Sequence, residues 1–408
     1  MATDPEASPQ HPATHAWGPA GDARRAAETA GEAGEAGVLA RILPSARPSA
    51  AAIVPTGDDA AVLAAPEGRY VVTTDLMVEG PDFRRAWHEP HDLGWKACAS
   101  NLADIAAMGA RPTALVVALA LPDETPMPWI EAFGAGVGAC LESLAPDAGV
   151  VGGDLSTAGQ VLVSVTAFGD LEGRPAVLRS GARPGDVVAL AGDAGRSASG
   201  LAALFAGQVA GCSTADGERV GAGAPWPRVR EATPPIGGGQ RQAEPAGTGA
   251  AGRIVAERFA AVLRAQFAPS PPIAAGATAA VAGATAMMDV SDGLLLDATR
   301  LARASGVTVE LESAALAGDV EWLAAVPGPD GEPIGASAAL ERCLAGGEDH
   351  ALLATFPPGA ALPPPFRRIG AVARGATGAD AAADGTTSPV RVDGVPRAAR
   401  GWDPYAGR

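Results

Sequence analysis

Seven aspartates stand in five short motifs spread along the chain: Gly57-Asp58-Asp59, Thr73-Thr74-Asp75, Asn101-Leu102-Ala103-Asp104, Gly152-Gly153-Asp154 and Asp289-Val290-Ser291-Asp292-Gly293. Mg2+ takes oxygen ligands, and small residues beside a carboxylate let the backbone approach a polyanion closely. The pattern points to Mg2+-dependent phosphoryl transfer. Lys96 is the only lysine, and no Gly-x-x-x-x-Gly-Lys-Ser/Thr loop exists. A Walker-type phosphate cradle is therefore excluded, and phosphate charge must be met by metals and arginines.

Taken singly, most of these motifs have a plain reading as well. Gly57-Asp58-Asp59 is common turn chemistry, and Thr73-Thr74-Asp75 suits a solvated strand end. Asn101 and Asp104 lie three apart, so they share one face of a helix whose other residues are largely apolar. An aspartate turned toward an apolar interior is costly unless paired or metal-bound. In Asp289-Val290-Ser291-Asp292-Gly293 a strand ends and a helix begins at once, which aims backbone N–H groups and the helix dipole at an anion. Asp292 as a simple N-cap would leave Asp289 unexplained. Gly346-Gly347-Glu348-Asp349-His350 is a similar acidic turn before a strand.

The elements that must carry these residues alternate between strand and helix. Strands are expected at 60–64 and 70–73, and a helix runs from His91-Asp92 to Met108, where Gly109 stops it. A strand at 113–121, a helix at 128–144, a very short strand at 150–151 and a longer one at 161–168 complete one α/β unit over 37–178. A turn-rich hinge at 179–186 opens the second unit, 179–408. It holds strands at 187–190, 286–290, 307–311, 352–356 and 367–372, and helices at 197–206, 253–267, 293–305 and 338–344. Residues 1–36 read as a disordered tail, 207–252 as a flexible insertion and 375–388 as a second loose stretch.

With 408 residues two domains are the default. A net charge of −16 argues against nucleic-acid binding, which needs a basic footprint. The four cysteines lack metal or disulfide spacing, and the five histidines include no pair suited to zinc. No run is apolar enough to span a membrane, and the N-terminus lacks a signal-peptide layout, so a cytoplasmic location is expected.

In order, Gly57-Asp58-Asp59, Thr74-Asp75 through Val78-Glu79-Gly80, the Asn-Leu-x-Asp-x-x-Ala-Met-Gly-Ala stretch from Asn101 to Ala110, Gly152-Gly153-Asp154, Arg179-Ser180-Gly181-Ala182, Asp289-Val290-Ser291-Asp292-Gly293, Gly346-Gly347-Glu348-Asp349 and Gly401-Trp402-Asp403 resemble the thiamine-monophosphate kinase family. That family lies within the aminoimidazole-ribonucleotide-synthetase-like ATP-binding superfamily. The resemblance implies an α+β fold of two α/β-type domains, the first forming a shared sheet barrel in a homodimer. It implies ATP as phosphoryl donor, thiamine monophosphate as acceptor, and Mg2+ held by Asp59, Thr73, Thr74, Asp75, Asp104, Asp154, Asp289 and Asp292. Asp75, Asp104, Asp154 and Asp292 would form the catalytic set. Gly153, Asp154, Arg179 and Ser291 would contact ATP, and Asp82, Glu348 and Trp402 the thiamine substrate. The chain departs from the family pattern in three places. Asp82 stands where a histidine is usual, 269–272 lacks a frequent arginine, and Pro404-Tyr405 replaces the common His-Phe. The rival readings are another ATP-dependent synthetase of the superfamily and an inactive nucleotide-binding scaffold.

Overall fold

A β-strand that pairs along its whole length outlasts its apolar pattern, and the first sheet illustrates this. The computed structural model describes residues 28–54, 61–207, 250–375 and 388–402. Among these, β1 (Ala52–Val54) and β2 (Val62–Leu63) form a small ribbon. A four-stranded sheet follows, in the order β3 (Val71–Val78), β6 (Leu162–Asp170), β4 (Arg111–Leu121), β5 (Gly149–Thr157). β3 pairs antiparallel with β6 from Val71 to Val78, so Thr73, Thr74 and Asp75 lie mid-strand and not at its end. β5 runs nine residues where two were expected. It is an edge strand held by parallel backbone pairing to β4, which needs no apolar alternation.

Helices α2 (Pro90–Ala107) and α3 (Met127–Leu144) cover one face of this sheet. Their backbones touch. A Cβ at Gly94 would meet the Phe133 carbonyl oxygen at 2.1 Å, and one at Gly136 the His91 carbonyl oxygen at 1.9 Å. Only glycine permits that approach. The other face stays open, and Val72 and Leu76 on it are 59% and 57% exposed.

The second sheet has the order β13 (Val395–Pro396), β12 (Val390–Val392), β9 (Val307–Leu311), β11 (Arg367–Arg374), β7 (Val187–Ala191), β10 (Ala351–Phe356), β8 (Ala286–Val290). Helices α4 (Arg196–Phe205), α5 (Ala250–Phe267), α6 (Ile273–Val281), α7 (Leu294–Ser305), α8 (Ala317–Ala324) and α9 (Gly335–Ala345) accompany it. One face of this sheet forms a core with Leu294, Leu301 and Leu344. The other face supplies Met287, Leu352 and Phe356 to the same core as Leu93, Leu102 and Ile105 of α2. Helix α2 is thus sandwiched between the two sheets, which explains why so much of it is buried.

Several elements differ from the sequence reading. Part of the expected tail is a helix, α1 (Ala30–Ile42), with a capping box. Thr29 accepts from the Glu32 N–H, and the Glu32 carboxylate accepts from the Thr29 N–H. The Ala- and Gly-rich composition masked this signal. Helices α6 and α8 were not anticipated either, because α6 is mostly alanine and offers little apolar contrast. Of the expected insertion, 208–249 lies outside the described residues, as do Asp58, Asp59 and the tail from Asp403.

Candidate active site

The loop after β3, helix α2, and the β8–α7 and α9–β10 turns converge on a cleft between the two sheets. Its cavity measures about 310 Å3, and Asp75, Asp82, Lys96, Ser291, Asp292, Glu348 and Trp402 are among its lining residues. Strand alternation turns Thr73 and Asp75 toward α2. There the Thr73 hydroxyl donates to Asp104 Oδ2 at 2.8 Å, and Asn101 Oδ1 accepts the Asp75 N–H at 3.1 Å. Asp289, at the end of β8, approaches from the second sheet with His350 Nδ1 3.2 Å from its Oδ2.

These carboxylates feel one another. Burial, then the charges of Asp289 and Asp75, push the Asp104 carboxyl up to about 7. Burial also raises Asp75, and although nearby His350 opposes this, Asp289 and Asp292 add to it. Burial works against a charged His350, but the hydrogen bond and charge of Asp289 hold its pKa above the ordinary value. Buried carboxylates set among other negative charges form a site short of positive charge. A divalent cation with oxygen preference relieves that deficit, so Thr73, Asp75, Asp104 and Asp289 suit Mg2+. Among the described residues no group of three His, Cys, Asp or Glu side chains is close enough to hold an ion alone. Mg2+ usually needs only one or two carboxylates, completing its shell with water and phosphate oxygens.

The remaining expected residues divide between this cluster and other places. Asp292 lines the cleft but its Oδ2 lies 2.5 Å from Arg300 Nη1, which also reaches Asp297 Oδ1 at 2.7 Å. Asp292 does not cap α7. Gly293 is the N-cap residue, and Asp297 Oδ2 takes the N–H groups of Asp292 and Gly293. Trp402, 53% exposed, is tethered by its backbone N–H to the Asp292 carbonyl at 2.9 Å. Thr74 and Asp154 are not with the cluster. Thr74 bonds the Val165 carbonyl and the Thr166 hydroxyl on the open face of the first sheet. Asp154 pairs in register with Ala118 on the far edge strand and is exposed. Gly153 packs directly on β4, where a Cβ would meet the Val117 carbonyl oxygen at 2.1 Å. Arg179 is exposed at the start of the second unit.

Asp82 Oδ2 accepts the Val78 N–H at 2.8 Å, so this carboxylate closes its own loop. Glu348 is held differently: it adopts φ 65°, and its Oε1 stands 3.0 Å from Lys96 Nζ. Burial opposes its ionisation, but the Lys96 ammonium holds the carboxyl below its ordinary pKa. Asp349 turns away from the cleft and takes the N–H groups of Gly195 and Ser197 at 2.5 and 2.8 Å, at the start of α4.

Sequence reasoning gave no role to Lys96, His88, Asn101 or His350. Lys96 carried a usable signal, since a chain's only lysine inside a helix of mostly apolar residues must have a partner. His350 adjoins a recognised motif, but its contact with Asp289 depends on β10 lying beside β8.

Residues 57–171 match the family described as AIR synthase related protein, N-terminal domain. The first sheet and its two helices fall within that matched region, which gives this part of the chain the AIR synthase-like fold. More specifically, the chain is 40% identical over 345 residues to the thiamine-monophosphate kinase of Mycobacterium tuberculosis (strain CDC 1551 / Oshkosh), covering 84% of this chain and 86% of the relative. It is 34% identical over 358 residues to the thiamine-monophosphate kinase of Corynebacterium glutamicum, covering 86% and 90%. A solved structure, AaThiL complexed with AMPPCP and TMP, superposes with a TM-score of 0.59 at 26% identity, covering 91% of this chain and 97% of that one. The chain belongs to the thiamine-monophosphate kinase family.

Proposed function

We propose that the cleft transfers the γ-phosphoryl group of ATP directly onto the phosphate of thiamine monophosphate, giving thiamine diphosphate and ADP. The observation that carries this reading is the meeting of Asp75 from the first sheet and Asp104 from α2 with Asp289 from the second sheet, whose charge helps raise both, beside a cavity of ligand size. The family relationship and the likeness to a structure holding AMPPCP and TMP support it.

A phosphate monoester with a second pKa of about 6 is largely dianionic at neutral pH, so it needs no general base to attack. The obstacle is repulsion between two polyanions, and phosphoryl transfer depends mainly on positioning and electrostatics. Bound Mg2+ supplies the neutralising charge there. Thr73, Asp75, Asp104 and Asp289 are the residues that would hold it, with Asp292 adjoining and Asp59 assigned by family pattern. Ser291 sits at the start of the β8–α7 turn and lines the cleft, where it would meet the nucleotide. Glu348 and Trp402 offer a carboxylate and an aromatic face to the cationic thiazolium.

A homodimer completes this reading. The open face of the first sheet exposes Val72 and Leu76, and Thr74, Gly153 and Asp154 share that sheet's outward side or edge. Apolar side chains grouped on an otherwise regular face suit a second copy. Asp154 and Gly153 then act at the junction between subunits, with Arg179 assigned to the nucleotide by family pattern. The reaction is assigned to the cytoplasm, where its nucleotide is made; among the described residues no helix is long and apolar enough to cross a membrane.

A coupled ADP-release assay tests the reading. Thiamine-monophosphate-dependent ADP release is expected. Turnover only with another acceptor would favour a synthetase, and nucleotide binding without turnover would favour a scaffold.

A further inference from the structure

Gln266 stands in the last turn of α5, 1% exposed, yet it helps line the cleft. A glycine seats it there. A Cβ at Gly200 of α4 would meet the Val262 carbonyl oxygen at 2.2 Å and the Gln266 Cβ at 2.9 Å, so α4 and α5 touch backbone to backbone. One turn earlier on α4, the Ser197 hydroxyl donates to Gln266 Oε1 at 2.7 Å. The other end of the amide is left for Glu348. An oxygen aimed that way would set a lone pair against a carboxylate, so the NH2 is assigned to the Glu348 side. Burial opposes ionisation of Glu348, but Lys96 first and then the Gln266 amide hold its carboxyl below the ordinary pKa.

The turn that carries Glu348 is fixed from several sides. The Glu348 N–H donates to the Ser291 carbonyl at 2.7 Å, and Asp349 beside it takes the N–H groups of Gly195 and Ser197. The Trp95 indole N–H donates to the Pro269 carbonyl at 2.7 Å, which ties the chain just after α5 to the helix that presents Lys96. Glu348 therefore meets two donors, Lys96 from α2 and Gln266 from α5, whose helices are themselves joined. An ammonium with rotatable donors fixes distance but not plane. A planar amide held at its far end fixes the plane as well, and a carboxylate with about four lone-pair sites keeps others open to a ligand.

We propose that Gln266 is a positioning residue of the acceptor site: braced by Ser197, its amide sets the plane of the Glu348 carboxylate and thereby the affinity for the thiamine substrate. The ligand in this statement rests on the thiamine-phosphate reading above, whereas the link between Gln266 and Glu348 is a property of the free protein.

Two variants test it. Gln266→Met keeps the bulk and removes the amide; Gln266→Glu keeps the shape and the acceptor for Ser197 but turns an oxygen toward Glu348. The KM for thiamine monophosphate is expected to rise about fivefold in Gln266→Met and further in Gln266→Glu, with kcat and the KM for ATP little changed. A residue that only joined α4 to α5 would leave Gln266→Glu like the wild type, and that result would overturn the assignment. Urea unfolding without ligand reads the link directly. The midpoint shift caused by Gln266→Met should shrink by about half or more in a Glu348→Ala background, and equal shifts in both backgrounds would also overturn it. Should Gln266→Met fold poorly, Gln266→Glu serves in both measurements. Calorimetric titration with thiamine monophosphate separates this inference from the kinase reading. Binding by the wild type without ADP release, weakened in the variants, would end the kinase reading and leave Gln266 in its role; no binding by the wild type would end both.

Discussion

Lys96 Nζ stands 3.0 Å from Glu348 Oε1, joining the helix between the sheets to the turn before β10. Lys96 is 3% exposed, and its ammonium lies within ion-pair distance of the carboxylate. The pair is thus an electrostatic tie across the cleft, with Glu348 still reachable from the substrate side.

Removing one member strands the other. Lys96→Met is expected to lower unfolding stability by about 2–3 kcal/mol, below the fully buried case because Glu348 is partly accessible. Adding Glu348→Gln should restore part of that loss. Urea unfolding of the single and double variants measures it, and a double variant no more stable than the single one would dissolve the proposed coupling.

Crowded carboxylates cost stability until a cation arrives. Asp104→Asn is expected to raise the melting temperature of the ligand-free protein while reducing turnover by at least about a hundredfold. Asp75→Asn should behave alike. Thermal melts alongside the ADP-release assay decide the matter; an active Asp75→Asn or Asp104→Asn protein would remove that residue from the metal role.

Mg2+ with ATP should stabilise the wild type through binding linkage, by about 2.7 kcal/mol when ligand reaches a hundred times its Kd. Chelation by EDTA should reverse most of the shift. Scanning calorimetry with ATP alone, Mg2+ alone and both together separates the contributions, and a flat response to saturating Mg-ATP would sink the site assignment.

Asp349 predicts a pH dependence of folding. Burial outweighs its two N–H donors and raises its pKa from 3.8 to about 7. Between those values the folded state keeps a proton that the unfolded state releases, so this group's contribution falls as pH rises. The wild type should therefore lose more stability than Asp349→Asn between about pH 4.5 and about pH 7.5. Denaturation midpoints at both values test this, and parallel slopes would contradict it.

Leu76 stands on the face assigned to the dimer. Leu76→Asp should shift the protein toward monomer with little effect on the subunit's own core, as read by sedimentation equilibrium. A wild-type monomer at micromolar concentration would refute the dimer assignment.

Much of this arrangement could be read from residue order. The strand-to-helix change at Asp289-Val290-Ser291-Asp292-Gly293 and the Asn101–Asp104 helix face appear where the motifs indicated. What was hidden depends on pairing between distant segments. The face on which Thr74 and Asp154 stand follows from register with β6 and β4, which no local pattern encodes. The Asp289–His350 contact needs β8 beside β10, and the bond between Thr73 and Asp104 needs α2 packed on β3. Asp82 is expected to meet the substrate from its place in the family pattern; it lines the cleft, and its Oδ2 accepting the Val78 N–H is a loop-closing bond that residue order does not reveal.

Helix α2 contributes Leu93, Leu102 and Ile105 to an apolar interior that also contains Met287 and Phe356 from the opposite sheet. Such continuity leaves no dry seam along which the halves could part. Opening them like jaws would wet that interior, so substrate entry must rely on the surface around Phe205 and Trp402. Heating should accordingly produce a single cooperative transition, and neither half is expected to persist folded after the other is cut away.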